Sequence, residues 1–236
     1  MENTGDSIFV KNASWNFGGD VSKNFDEHIS KSVPLYKIGH DLVLKVSDFF
    51  IHDASVCYDL GCSTGTLTHA LAQRHHHKKV KFIGVDGEEA MIKKAKERCL
   101  KLKNISLKKF DIMDLEFEKA DLIIAYYSVQ FIRPKNRQIL IDRIYQSLNW
   151  GGAFLFFEKV RGPDARFQDM MTAVYTDYKL DQGYSAKEIV GKTRSLKGAL
   201  EPFSTQGNYD LLKRAGFVDI MTVMKYVCFE GFLAIK

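Results

Sequence analysis

The sequence predicts an α/β fold: a doubly wound, mostly parallel sheet of seven strands, with a helical lid before it and an insertion ahead of a closing hairpin. Three observations predict it. A β-branched and apolar run ends in Tyr58-Asp59-Leu60 and turns at glycines four apart, Gly61 and Gly65. Strand-like and helix-like patterns then alternate at short intervals, as a parallel sheet with crossover helices requires. Two strand patterns at the end of the chain abut with no room for a crossover, which makes them a hairpin.

The elements follow in order. Residues 24–38 read as a helical stretch able to lie over the mouth of a site. The first strand spans 55–60, the helix after the glycine turn 66–74, and the second strand 80–86. Ala90, Met91, Ala95 and Cys99 recur near helical spacing, so 88–100 is the next crossover. Strands follow at 105–110, 122–126 and 153–158, with a helix at 135–148 before the last and Asn149-Trp150-Gly151-Gly152 as the turn into it. Residues 219–226 and 228–235 close the sheet. This divides the chain into a cap (1–51), a cofactor-binding core (52–160), a helical insertion that selects the acceptor or pairs subunits (161–212) and the hairpin of the same domain (213–236).

At 236 residues, one domain with additions fits better than two. The net charge is +5, yet the basic residues interleave with acids, as in Lys93-Lys94-Ala95-Lys96-Glu97-Arg98. That pattern is a solvated helix face and lacks the concentrated stripe of a nucleic-acid binder, so no direct nucleic-acid partner is expected. Cys57, Cys62, Cys99 and Cys228 form no C-x-x-C pair, which argues for reduced thiols. The polar, glycine-bearing N-terminus lacks a signal-peptide core, and no apolar run reaches the ~20 residues of a membrane span. The expectation is a cytoplasmic enzyme without a membrane segment. His75-His76-His77 invites a metal, but adjacent side chains diverge, and the segment reads as a solvated link; no metal is expected.

The chemistry starts where the first strand ends. Glycines there permit positive φ and close ligand approach. Asp86, in Ile83-Gly84-Val85-Asp86, falls at the end of the second strand, where a carboxylate takes both hydroxyls of a ribose. The spacing is D-x-G-x-x-x-G, in place of the G-x-G-x-x-G that seats a pyrophosphate on a helix N-terminus. It resembles the class I S-adenosylmethionine-dependent methyltransferases, whose cofactor has no phosphate. On that resemblance Asp59, Gly61, Ser63 and Gly65 approach the methionine part, Asp86 the ribose, and Asp111 the adenine amine while the Ile112 amide meets a ring nitrogen. Met91, Ile92 and Ile112 sandwich the purine. Tyr126, after the fourth strand, is either packing or a phenol beside the sulfonium, since an aromatic face attracts a cation.

A wider set of motifs recurs in order: Ser32-Val33-Pro34-Leu35-Tyr36, Asp59 to Ser63, Gln130-Phe131, Leu148-Asn149-Trp150-Gly151-Gly152, Glu158-Lys159, Gly183-Tyr184-Ser185 with Glu188-Ile189, and Ala215-Gly216-Phe217. In these the chain is similar, from about residue 25 to the end, to the carboxy-S-adenosyl-L-methionine synthase family. Its members transfer the prephenate carboxylate onto the methyl carbon of S-adenosylmethionine, require no tRNA and are homodimers. The resemblance implies ligand contacts at Tyr36, Gly61, Cys62, Ser63, Asp86, Gly87, Asp111 and Ile112. The chain departs from it at two positions. Tyr126 stands where the family has Asn, and Lys192-Thr193 stands for Lys-Arg, the family's Arg gripping the added carboxylate, with Arg194 one place late. Threonine loses the paired donors and fixed charge of a guanidinium.

Three functions follow as expectations. The first is methyl transfer to a small-molecule acceptor, driven by positioning, with Tyr126, Tyr184 or Glu158 as the group that takes the acceptor proton. The second is synthase chemistry with prephenate, which needs a cation near the methyl and makes Arg194 the discriminating residue. A cleft-facing Arg194 favours the synthase, and a solvent-facing one favours methyl transfer. The third is a protein that retains the cofactor without turnover. The resemblance implies a homodimer paired through the insertion.

Overall fold

The strands of the main sheet lie in the order Ile105–Lys109, Lys81–Asp86, Val56–Leu60, Ala120–Tyr126, Leu148–Lys159, Phe229–Ile235 and Asp219–Tyr226, and only Phe229–Ile235 runs against its neighbours. The computed structural model describes residues 2–6, 9, 10, 13 and 20–236; the rest of the N-terminal stretch read as polar lies outside the described residues. The strands are β3 (Val56–Leu60), β4 (Lys81–Asp86), β5 (Ile105–Lys109), β6 (Ala120–Tyr126), β7 (Leu148–Lys159), β8 (Asp219–Tyr226) and β9 (Phe229–Ile235). Between them run α3 (Thr66–Arg74), α4 (Glu89–Cys99) and α5 (Pro134–Ser147), and the insertion is α6 (Ala165–Asp181), α7 (Ala186–Ser195) and α8 (Thr205–Ala215). The predicted seven-stranded α/β sheet is what the chain forms.

Both faces of the sheet are covered, and the residues alternate accordingly. Phe154, Phe156 and Phe232 pack with Tyr58, Ile123, Leu140 and Leu211 on one face. Leu155 and Phe157 pack with Cys57, Phe82, Leu71 and Val43 on the other. Central strands buried on both sides are near-continuously apolar, whereas edge strand β5 ends in exposed Lys108 and Lys109. The order reverses between β3 and β6, so a crevice opens beyond the carboxyl ends of those strands.

Three expectations are corrected. The stretch 24–38 is not one helix but α1 (Asp20–Ser32), kinked at Asn24, and α2 (Tyr36–Ser47). Pro34 disfavours helical backbone at Val33, and Leu35 turns with φ 58°, so the chain breaks there. Residues 149–152 lie within β7, where Gly151 takes φ 77° and the register against β6 shifts, instead of forming a turn before it. His75 is not solvated; it is 1% exposed and its Nε2 pairs with Ser47 Oγ at 2.8 Å, because the last turn of α3 packs on α2. A two-stranded ribbon, β1 (Glu2–Asn3) with β2 (Phe9–Val10), lies beside α7 and has no counterpart in the sequence reading. Among the described residues no helix is long and apolar enough to cross a membrane, and no group of three His, Cys, Asp or Glu is placed to hold a metal.

Candidate active site

Gly61 turns the chain out of β3 with φ 76°, and a Cβ there would lie 2.5 Å from Ser128 Cβ, so only glycine lets β3 and the segment after β6 close together. Ser128 Oγ donates to the Leu60 carbonyl at 2.6 Å from the other side. Gly61 and Cys62 both donate their amides to the Val85 carbonyl, at 2.8 and 3.0 Å, tying the loop to β4. Gly65 serves packing: a Cβ would meet Ala95 of α4 at 2.9 Å.

Asp86 braces the loop. Its Oδ2 accepts the Ser63 amide and its Oδ1 the Glu88 amide, each at 2.9 Å. A carboxylate oxygen has a second lone pair, so both oxygens can also take a hydroxyl from the cavity. Burial raises the Asp86 pKa, and the two amides oppose that rise. Asp59, behind the loop, is 3% exposed, and its Oδ2 accepts the Thr68 hydroxyl at 2.5 Å. Burial lifts its pKa to about 6, the Thr68 bond working against the shift.

These groups line a cavity of about 710 Å³. Its roof is α1 and α2, which bring Phe25, His28, Tyr36 and His40 over the loop. Arg98 locks the roof down: one nitrogen donates to the Thr64 carbonyl at 2.6 Å and another to Asp26 at 2.7 Å, while the Thr64 hydroxyl donates to Asp26 at 2.5 Å. Phe25 packs on Met91 across the same seam.

Beyond β6 the wall is aromatic. The ring of Tyr126 stands edge-on to Tyr36 at 5.1 Å and to Tyr127 at 4.8 Å. Tyr126 donates its hydroxyl to the Tyr36 carbonyl at 2.7 Å, and burial pushes its pKa upward, so it stays a neutral phenol. Tyr127 holds φ 60°, with its amide on the Phe157 carbonyl at 2.9 Å, and its buried hydroxyl has no partner among the described residues. The far wall is cationic. Lys159 and Lys179 place their ammoniums 4.3 and 4.6 Å from the Tyr175 ring centroid. Burial lowers both pKa values, that of Lys179 to about 8.

The structure brings most of the sequence candidates together. Tyr36, Asp59, Gly61, Cys62 and Ser63 line the cavity, as do Asp86, Gly87, Met91, Asp111, Ile112 and Tyr126. Gly65, Tyr184 and Arg194 do not. Tyr184 turns instead to Asp6, donating at 2.7 Å, and Arg194 lies on the exposed side of α7. Glu158 is 2% exposed and off the cavity, with its pKa raised by burial to about 8. His28, His40, Lys159, Lys179 and Lys192 line the cavity without having been singled out as site residues. Lys159 and Lys192 sat inside motifs already quoted; the histidines carried no periodic signal.

A cradle that a Cβ would close, a carboxylate with two open lone pairs and an orphaned phenol suit a polar nucleoside carrying a cation. Comparison with known proteins agrees. The family model described as a methyltransferase domain matches residues 57–152. The chain is 35% identical to carboxy-S-adenosyl-L-methionine synthase of Sulfurimonas denitrificans over 98% of this chain and 99% of that one. It is 37% identical to that of Campylobacter lari over 98% and 99%, and 34% identical to that of Staphylococcus epidermidis over 94% and 97%. Among solved structures, an O-methyltransferase family protein from Burkholderia thailandensis superposes with TM-score 0.65 at 15% identity, over 92% of this chain and 59% of that one. Human N-acetylserotonin methyltransferase in complex with SAM gives 0.62 at 18%, over 92% and 56%. At those identities the likeness is one of fold.

Proposed function

This chain belongs to the carboxy-S-adenosyl-L-methionine synthase family and is an S-adenosylmethionine-dependent transferase, and from that premise we propose that it moves a methyl group to a small-molecule acceptor. One observation carries this reading: the two positions at which the chain departs from that family offer an added carboxylate nothing. Thr193 reaches the cavity wall but spends its hydroxyl on the Ile189 carbonyl at 2.8 Å. Tyr126 spends its own on Tyr36, and Arg194 is outside the cavity.

S-adenosylmethionine, when bound, supplies a methyl group activated by a sulfonium. The chain's own residues hold it. Asp86 takes the ribose hydroxyls, the Gly61–Ser63 turn the methionine end, and Asp111, Ile112 and Met91 the base. Tyr36, Tyr126 and Tyr127 present aromatic surface to a cation. The α1–α2 roof excludes water, and positioning supplies most of the rate. Lys159 and Lys179, with no carboxylate partner among the described residues, suit an acceptor that bears an acidic group.

A second reading is synthase chemistry, favoured by those same two lysines, which put cations in the cavity where the family's arginine is missing. Mass spectrometry of the small molecule that copurifies, repeated after adding S-adenosylmethionine and prephenate, separates the two. Only S-adenosylmethionine or its demethylated product supports methyl transfer. A prephenate-dependent species heavier by one carboxyl group overturns it in favour of the synthase.

Pairing into a homodimer is proposed through α6, where Phe167, Met170 and Val174 recur at helical spacing and are each about half exposed. All four cysteines are buried free thiols, which supports a place in the reducing cytoplasm.

A further inference from the structure

Lys192 reaches the cavity from α7 at the end of a partly buried hydrogen-bond chain that the proposed cofactor contacts do not include. Asp6 Oδ2 lies 2.5 Å from His28 Nδ1, and His28 Nε2 lies 2.7 Å from Lys192 Nζ. The Tyr184 hydroxyl donates to the same Asp6 oxygen at 2.7 Å and lies 3.2 Å from Ser32 Oγ, so the carboxylate is held from two sides. His28 is 2% exposed and also lines the cavity.

With Asp6 ionised, His28 carries its proton on Nδ1 and offers the Nε2 lone pair to an N–H of Lys192. That contact fixes how the amine is turned, as the second carboxylate–imidazole member of a triad fixes its base. Among the described residues, the charged groups that act on Lys192 include Lys179 from α6 and Asp6 from the N-terminal segment, and Glu188, one turn earlier on α7, has its carboxylate occupied by Ser185. Burial and then Lys179 bring the Lys192 pKa well below that of a free lysine, with Asp6 opposing. His28 is neutral, its pKa lowered by burial to about 4. An amine that sheds its proton easily and is held by a fixed acceptor is the arrangement of a general base.

We propose that Lys192 takes the proton from the methyl acceptor and that His28 and Asp6 are its positioning residues. The assignment rests on the methyl-transfer reading. The acceptor X–H bond yields its proton to the Nζ lone pair. The electron pair on X forms the bond to the methyl carbon, and the pair of the broken carbon–sulfur bond stays on sulfur. The amine becomes an ammonium as the sulfonium becomes a thioether, so charge and atoms balance.

The test reads the proton directly. Full-length protein labelled with lysine carrying ¹³C at the ε carbon, saturated with S-adenosylhomocysteine, is titrated by NMR, with Lys192 identified by its absence in Lys192→Arg. Its midpoint is expected well below those of the exposed lysines, because burial and Lys179 disfavour the ammonium. Asp6→Asn should lower it further, because the anion that opposes the shift is lost. Should Asp6→Asn not fold, Tyr184→Phe strips a donor from Asp6, strengthens its charge and should raise the midpoint. A midpoint among the exposed lysines, or one that neither substitution moves, overturns the assignment and leaves methyl transfer standing. Failure of methyl transfer itself reads out separately, as the prephenate-dependent heavier cofactor, and removes this role for Lys192 with it.

Discussion

Asp26 and Arg98, 72 residues apart, meet at 2.7 Å across the cofactor loop, with Thr64 held between them. The pair fastens the helical roof to α4. Both side chains are partly exposed, so the contact is a latch more than a source of stability. Arg98→Ala is expected to speed dissociation of S-adenosylhomocysteine by about tenfold or less, the scale of one charge-assisted hydrogen bond, with little change in melting temperature. Stopped-flow fluorescence measures it, and an unchanged rate would mean that the roof opens elsewhere.

Asp86→Ala removes the acceptor of two loop amides and, on the proposed reading, of the ribose hydroxyls with them. Affinity for S-adenosylhomocysteine should fall by about a hundredfold or more, since each charged hydrogen bond is worth about 1.5–3 kcal/mol. Calorimetric titration reads this, with circular dichroism to show that the sheet is intact. A loss under threefold would remove Asp86 from the site.

Gly61→Ala and Gly87→Ala form a matched pair. The first adds a Cβ at 2.5 Å from Ser128 on a backbone with φ 76°; the second meets nothing within 4 Å. The Gly61 variant should lose cofactor binding and several degrees of melting temperature, and the Gly87 variant should keep its fold. Similar thermal melts for the two would contradict the steric account.

Glu158 and His75 give stability opposite dependences on pH. Glu158, pushed by burial to about 8, binds more protons folded than unfolded, so its contribution is present in acid and is lost as pH rises through 8. Its Oε1 also has no partner among the described residues. Glu158→Gln should therefore melt above the wild type at about pH 9 and converge with it at about pH 5.

His75, lowered by burial to about 4, binds fewer protons folded than unfolded. Its contribution is present above the free imidazole pKa and is lost as pH falls toward 4. In His75→Gln the drop in melting temperature between neutral pH and about pH 5 should shrink. An identical drop in variant and wild type would show that the acid sensitivity lies elsewhere.

The sheet and the nucleoside half of the site were legible because local rules govern them. Gly61 follows from a strand that must turn sharply, and the parts given to Asp59 and Asp86 come from the resemblance that their spacing carries. The roof was less legible. Pro34 marked the break between α1 and α2, but helical periodicity on both sides masked it. His75 looked solvated because its neighbours are, and only the packing of α3 on Ser47 draws it inward. The Asp6–His28–Lys192 chain was invisible because it joins residues 22 and 164 positions apart, and no periodicity spans such distances.

The cavity wall runs from Phe25 and His28 near the start of the chain to Cys228 and Phe229 near its end. A polypeptide leaves the ribosome N-terminus first, so the glycine loop and Asp86 exist well before the hairpin that completes both the sheet and the wall. A chain cut before β9 keeps every residue proposed to hold the nucleoside and lacks the stretch of wall formed by Cys228 and Phe229.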